Sequence, residues 1–375
     1  PMTTIRTGAR TEIEFTVHKL TNITIHDSKF RILDSFFPIF ALSKTRIMSK
    51  LAVNYLGLNL KNPIIAGSSG LNKNIENLIE LEQKGVGAVV LKSLFEEQIK
   101  FEYMKQMSQY NDTYAYPEAD DYIREYTEMN EMDKYIDFIR EAKSKLSIPV
   151  IASINCISSS DWVEFATKIE DAGADALELN IFILPSDEKL DAKEIEERYR
   201  DIVDAVLKKT KLPLAIKLGY HFTDMARFMT QLSWGDVKGL VLFNRAFSPD
   251  IDNDNFKITA GNVFSSEAEL STSLRWVALL SDKVRCDISA STGAHSGEAI
   301  IKQILAGATT VQISSVLYKK GFGVVEEMVE FLNQYMDKHG FKTIKDFKGK
   351  MSFKESTNPA AYERVQFMKH FAGIE

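Results

Sequence analysis

The residues of this chain that could carry chemistry stand at the ends of short apolar runs. Such runs close on Ser68 and Ser69, on Lys92 and Ser93, on Ser153 and Asn155, on Asn180, on Lys217, on Asn244, on Ser291, Thr292 and Gly293, and on Ser314 and Ser315. One polar residue at a strand end needs no explanation, because strands must meet solvent; a polar residue or glycine at every end points to a shared purpose. Two lysines and three asparagines, with no histidine or carboxylate cluster among them, suit hydrolysis poorly. They suit a planar heteroaromatic ring rich in carbonyl and N–H groups. Amides donate and accept at ring edges, and a lysine beside the pyrimidine edge of such a ring stabilises the negative charge that develops on hydride uptake. A flavin meets that description. The Ser291–Thr292–Gly293–Ala294 turn and the Ser314–Ser315 pair open the segments that follow their runs, and backbone N–H groups with hydroxyl donors there make an anion site for a phosphate. The plainer alternative is helix capping by Ser and Thr.

The elements that must position these residues repeat along the chain. Apolar or β-branched runs occur at 63–67, 88–93, 149–154, 176–181, 213–218, 239–244, 285–291 and 310–315, eight in all. Near-continuous apolar strands separated by amphipathic segments indicate a parallel sheet covered on its outer face, and eight such units close into a (β/α)8 TIM barrel. Strand starts fall in pairs about 25 residues apart, the length of one strand, one helix of three turns and two short loops. Longer gaps after strands 2, 4 and 6 must hold insertions. Segments 77–85, 161–173, 193–208 and 297–307 carry apolar residues at helical spacing, and several end at glycine. In a barrel the C-terminal strand ends form the active site and the phosphate site follows strands 7 and 8, so the polar residues above converge. A doubly wound open sheet is the rival; it would use fewer strands and a glycine-rich first turn, and neither GxGxxG nor GxxxxGK[ST] occurs.

Bulk properties exclude several classes. A net charge of -6 and the lack of a Lys/Arg-rich stripe argue against a nucleic-acid partner. The apolar run at 36–42 contains a proline and falls far short of the about 20 residues of a membrane span, so no membrane association is expected, and a signal peptide is rejected. Two cysteines, Cys156 and Cys286, provide no disulfide framework, and a cytoplasmic location is the default. The six histidines show no ligand spacing and no CxxC occurs, so no metal is expected. Residues 1–47 lack sustained periodicity and read as an N-terminal extension, poorly ordered or foreign to the barrel of 48–375, with Met48 as the natural start.

At this point the stretches LAVNYLGLNLKNPIIAGSSG (51–70), GVGAVVLKS (85–93), GADALELN (173–180), LPLAIKL (212–218) and ILAGATTVQISSVLYKKG (304–321) resemble the dihydroorotate dehydrogenases, above all the soluble class 1 type. The resemblance implies an FMN-dependent oxidation of dihydroorotate to orotate, a step of pyrimidine biosynthesis, with hydride passing to flavin N5. It implies FMN held by Ala66, Gly67, Ser68, Ser69, Gly70, Lys92, Ser93, Asn155, Asn180, Lys217, Ser291, Thr292, Gly293, Ser314 and Ser315. It implies substrate contacts from Lys92, Asn180 and Asn244.

The chain departs from that pattern in three places. After LELN the family carries a Ser or Cys base followed by Pro and Asn, whereas here Ile181–Phe182–Ile183–Leu184–Pro185–Ser186 is one residue longer and has no base at the matching place. The family's substrate-binding segment after strand 2 has no counterpart in 95–122, and the double glycine of the phosphate turn is Thr292–Gly293. Candidates for the missing proton acceptor are Cys156, Ser186, Tyr220 and His221; a cysteine is more often a packed residue than an activated thiolate. Three further readings stay open: an FMN oxidoreductase on another pyrimidine or enone, a flavin-binding barrel without dehydrogenase activity, and a lyase using Lys92 or Lys217 as a Schiff base. The Tyr-rich insertion at 103–126 reads as a solvated layer or a substrate lid. The amphipathic tail from 324 to 339 reads as a cover on the barrel, with a homodimer contact as the alternative.

Overall fold

The computed structural model describes residues 49–95, 117–155 and 162–364, with side chains from 131 onward in the second stretch and from 165 in the third. The extension at 1–47, Cys156 and residues 103–116 of the lid candidate at 103–126 therefore lie outside the described residues, while 117–126 open the helix that follows.

Eight strands form one parallel ring: β1 (Ile64–Ala66), β2 (Ala88–Val90), β3 (Val150–Asn155), β4 (Ala176–Asn180), β5 (Leu214–Leu218), β6 (Val237–Leu242), β7 (Asp287–Ser291) and β8 (Thr310–Ile313). Each pairs with the next in sequence, and β8 returns to β1, with Gln312 opposite Ile65. The expected (β/α)8 barrel is present. These strands bury almost every residue, which is why their sequences run apolar instead of alternating. Parallel register places Asn155 opposite Asn180 and Asn180 opposite Lys217, so three polar strand ends lie side by side.

Helices α1 (Ile75–Lys84), α2 (Pro117–Lys145), α3 (Trp162–Asp171), α4 (Ala192–Leu207), α5 (Met225–Leu232), α6 (Leu270–Leu280) and α7 (Gly297–Ala306) each follow the strand of the same number. Their ends carry local signals. Asn74 accepts from the Asn77 N–H at the start of α1, and Asp191 and Glu194 make a reciprocal capping box at α4. Gly85 stops α1 at φ 103°, a left-handed value that favours glycine. After β8 come the short α8 (Ser315–Lys320) and the longer α9 (Val324–His339), which buries Val325, Met328, Leu332 and Met336. A side chain at Gly297 would overlap the ring of Phe331, so α9 lies tight on α7 and covers the barrel wall.

The insertions fall where the spacing placed them, with content that periodicity did not reveal. After β2, Leu94–Phe95 pairs with the end of β3 before the 29-residue α2. After β4 comes the 181–191 loop, and after β6 an antiparallel hairpin of Pro249–Asp252 and Lys257–Ala260. A second hairpin, Val53–Tyr55 with Leu58–Leu60, closes the opposite end of the barrel. There the Leu56 N–H donates to Asp287 Oδ2 at 2.9 Å, and Gly239 leaves room for the Leu56 side chain.

One buried polar side chain ties the first two strands together. Asn72 is fully buried, and its amide nitrogen lies 3.2, 3.0 and 2.7 Å from the carbonyl oxygens of Ala66, Gly67 and Val90. Asn72→Ala strips these carbonyls of their donor, and an unsatisfied buried group costs about 1–3 kcal/mol. The variant should show a urea midpoint lowered by a stability loss of at least about 2 kcal/mol; an unchanged midpoint would refute this role.

Candidate active site

A cavity of about 400 Å³ opens at the C-terminal ends of the strands. It is lined by Ser68 and Ser69 after β1, Lys217 of β5, Asn244 and Arg245 after β6, Ser291 to Ala294 after β7, and Gln312 to Ser315 at the end of β8, with Val263, Phe264, Ser265 and Tyr318 at the margin. Nine of the residues expected for the cofactor and substrate therefore share one chamber: Ser68, Ser69, Lys217, Asn244, Ser291, Thr292, Gly293, Ser314 and Ser315. Convergence of side chains spread over 247 residues follows from ring closure between β8 and β1, where Ser314 Oγ donates to the Gly67 carbonyl at 3.1 Å.

The floor of the chamber is charged and buried. Lys217 Nζ lies 3.5 Å from Glu178 Oε1 and donates to Gln312 Oε1 at 3.2 Å, while Gln312 Nε2 donates to Glu178 Oε2 at 2.5 Å. Glu178 is 1% exposed and Lys217 8%. Gln312 bonds both charged groups, and Glu178 Oε1, buried with no hydrogen-bond partner among the described residues, faces the ammonium as an ion pair. Neither Glu178 nor Gln312 was among the residues singled out from the sequence. The available signal was a carboxylate in the centre of the otherwise apolar run ALELN, since a lone buried charge demands a partner.

At the opposite wall Thr292 and Gly293 both have left-handed backbone, with φ 76° and 80°. A Cβ on Gly293 would overlap the Leu270 backbone at the start of α6, so the turn and the helix touch with no side chain between them. Thr292 Oγ1 donates to the Phe243 carbonyl at 3.1 Å, which fixes the less favourable threonine in that conformation. Behind the turn, Ser315 Oγ accepts from the Ser265 N–H at 3.0 Å, Lys319 donates to the Ser265 carbonyl at 2.8 Å, and Ser265 Oγ pairs with His295 Nε2 at 2.9 Å. Burial, with the Lys319 ammonium close by, holds His295 below the ordinary imidazole range.

The other expected residues adjoin this cavity without lining it. Ala66 is fully buried in β1; Gly67 and Gly70 lack side chains where a Cβ would lie 2.9 Å from Ser314 Oγ and from the Tyr318 hydroxyl. Ser93 links Ser68 and Ser153 through hydroxyl contacts of 3.0 and 2.7 Å. Tyr135 of α2 donates to the Ser153 carbonyl and accepts from its N–H, a side chain the sequence reading passed over. Asn180 Oδ1 accepts from Asn244 Nδ2 at 2.8 Å, and half-buried Asn155 stands beside Asn180. Burial and the nearby Lys73 ammonium hold Lys92 below the ordinary lysine value, and its Nζ lies 5.6 Å from the Phe95 ring centre.

A second cavity, of about 570 Å³, shares Asn244, Arg245, Ser291 and Thr292 with the first. Tyr220 and His221, two of the candidate proton acceptors, line it together with Phe182, Leu184, Phe243 and Phe247. Ser186 is exposed on the 181–191 loop and lines neither cavity. Arg245 stands between the two chambers: Nε donates to Glu269 Oε2 at 2.9 Å and Nη1 to the Val263 carbonyl at 2.9 Å. Burial alone would raise Glu269, but the Ser266 N–H and Arg245 outweigh it and hold the carboxyl below its ordinary value. The remaining described cysteine, Cys286, lies at the start of β7; burial and Asp287 push its thiol up to about 12, far from thiolate chemistry.

The family model described as dihydroorotate dehydrogenase matches residues 50–336, which takes in all eight strands and ends within α9. The chain belongs to the dihydroorotate dehydrogenase family. It is thus a member of a family of oxidoreductases that act on CH–CH donors. Among curated relatives, the dihydroorotate dehydrogenase B (NAD(+)) catalytic subunit of Thermoplasma acidophilum is 26% identical over 306 residues, covering 80% of this chain and 99% of that protein. The putative dihydroorotate dehydrogenase A (fumarate) of Aeropyrum pernix is 27% identical over 305 residues, with 80% and 97% covered. The B-type catalytic subunit of Alkaliphilus metalliredigens is 27% identical over 321 residues, with 80% and 98% covered. Among the described residues of this dihydroorotate dehydrogenase family member, no helix is long and apolar enough to cross a membrane.

Proposed function

We propose that this chain is an FMN-dependent oxidoreductase that converts dihydroorotate to orotate. The observation that carries the reading is the Glu178-backed Lys217 at the floor of a chamber whose far wall is the Thr292–Gly293 and Ser314–Ser315 turns. The residues fit the group. Ser69 Oγ is buried without a partner among the described residues beside the chamber, Gly67, Gly70 and Gly293 leave space that a Cβ would fill, and hydroxyls and turn N–H groups supply neutral donors for a phosphate. When bound, FMN supplies the acceptor for a hydride from the substrate's CH–CH bond.

The protein's own side chains do the rest. Lys217 presents positive charge to the pyrimidine edge of the ring, with Glu178 and Gln312 fixing its position. Ser291, Thr292, Gly293, Ser314 and Ser315 hold the phosphate. Asn244, oriented by Asn180, donates to substrate together with Lys92. Of the four candidate proton acceptors, Cys156 lies outside the described residues and Ser186 outside both cavities. His221 is the stronger of the remaining two: its Nδ1 is buried without a partner among the described residues, and its ring is wedged against Tyr220 and Phe182. Lys217 is a poor Schiff-base nucleophile, because its nitrogen is engaged by Glu178 and Gln312. The names of two of the relatives as catalytic subunits support a partner protein for this chain as well. A second reading, an FMN oxidoreductase acting on a different enone, is favoured by Ile181, Phe182, Ile183 and Leu184, which occupy the loop where the family keeps its base.

Purified protein incubated with FMN and then freed of unbound flavin by gel filtration should be yellow, and anaerobic dihydroorotate should bleach it. A preparation that stays colourless rejects the flavin reading; a yellow one that dihydroorotate leaves unbleached rejects the substrate and favours the second reading.

A further inference from the structure

Beyond His221 and Asn244, the second cavity has aromatic and cationic walls to which the proposed reaction gives no role. Its aromatic face is built: Tyr220 and His221 stack with ring centres 4.5 Å apart, Phe243 meets Tyr220 edge-on at 5.8 Å, and Phe182 meets His221 at 90°. Gly219 makes that face possible, because a Cβ there would lie 2.7 Å from the Phe182 ring. Tyr220 and Phe247 remain 47% and 68% exposed at the mouth, so a ligand that covers them gains the free energy of removing apolar surface from water. A volume of about 570 Å³ is in the range of sites that take a ligand of drug size, more than one small pyrimidine fills.

The polar end of the cavity selects the ligand's charge. Arg245 spends Nε on Glu269 and Nη1 on the Val263 carbonyl, while Nη2 has no partner among the described residues. Glu269 is held in place by the Ser266 N–H at 2.7 Å, so the pair is neutral and immobile. A carboxylate approaching Nη2 would also face the Glu269 carboxylate. A carbonyl oxygen accepts the same hydrogen bonds without that repulsion.

We propose that this chamber binds a neutral planar aryl carbonyl compound, with its ring on Tyr220, His221 and Phe243 and its oxygen on Arg245. The cavity borders the chamber of the proposed reaction and shares Asn244 and Arg245 with it, but the inference needs no bound flavin, so its test uses the full chain both without and with added FMN. The matched probes are 2-acetylnaphthalene and 2-naphthoate, which share ring and size and differ in charge. Calorimetry and saturation-transfer NMR should show the ketone binding at least about tenfold more tightly than the acid, a ratio worth about 1.4 kcal/mol. Tyr220→Ala and Phe247→Ala should each weaken the ketone; both sites are exposed, so neither change threatens folding, and circular dichroism checks this. Glu269→Gln, which removes the opposing charge and keeps one of the two acceptor oxygens, should shift the preference toward naphthoate. Absence of ketone binding, equal affinity for the two probes, or an unchanged preference in Glu269→Gln overturns the proposal, whatever the colour of the FMN-treated protein.

Discussion

Gly293→Ala should unfold at a markedly lower urea concentration than the parent chain and should fail to retain FMN. Two costs add at this position. The residue has φ 80°, where an L side chain pays about 1–2 kcal/mol, and the new Cβ would overlap the Leu270 backbone, which only a shift of α6 can relieve at a further 1–3 kcal/mol or so. The total is about 3 kcal/mol, lost together with the N–H geometry of the anion turn. Gly340→Ala separates the two contributions. It has φ 70° with nothing within 4 Å of the added Cβ, so it should cost only about 1 kcal/mol and leave FMN retention intact. Equal midpoints for the two variants would show that Gly293 does not make the close approach described above.

Lys217→Met and Glu178→Leu should each destabilise the barrel by about 3–5 kcal/mol, because each leaves one buried charge without its partner. The double variant should be far less damaged than the sum of the two, since a methionine and a leucine replace the ion pair with apolar volume. Gln312 loses its partner at both ends of the amide in the double variant, which limits the recovery. Urea unfolding of the four proteins gives the coupling free energy directly, and strict additivity would mean that the two charges do not compensate each other. The double variant, folded but without the cation, should bind FMN more weakly than the parent, which separates the ligand role of Lys217 from its structural one.

Much of the architecture could be read before any coordinates. Strands covered on both faces are apolar throughout, so the eight runs stood out, and the glycines that end α1 and α7 marked the helix stops. The strand at 285–291 begins two residues late, at Asp287, because Arg285 and Cys286 belong to the approach below the barrel, where Asp287 meets the N-terminal hairpin. The hairpins escaped notice for a different reason. Strands of three or four residues hold too little alternation to be told from loop, and the Pro249–Asp252 and Lys257–Ala260 pair is exposed almost throughout, so burial imposes no pattern on it.

The amino-acid order by itself determined that eight apolar strands with polar ends exist and that a parallel ring is their economical arrangement, because local burial and capping write themselves into local spacing. Which polar residues meet was decided only by closure of the ring. Glu178 and Gln312 lie 134 positions apart and become partners because β4 and β8 turn inward-facing side chains toward one axis. In the same way the division of the rim into two chambers, with Arg245 between them, depends on where the loops after β4 and β6 fold back, and no periodicity along the chain encodes a contact made across it.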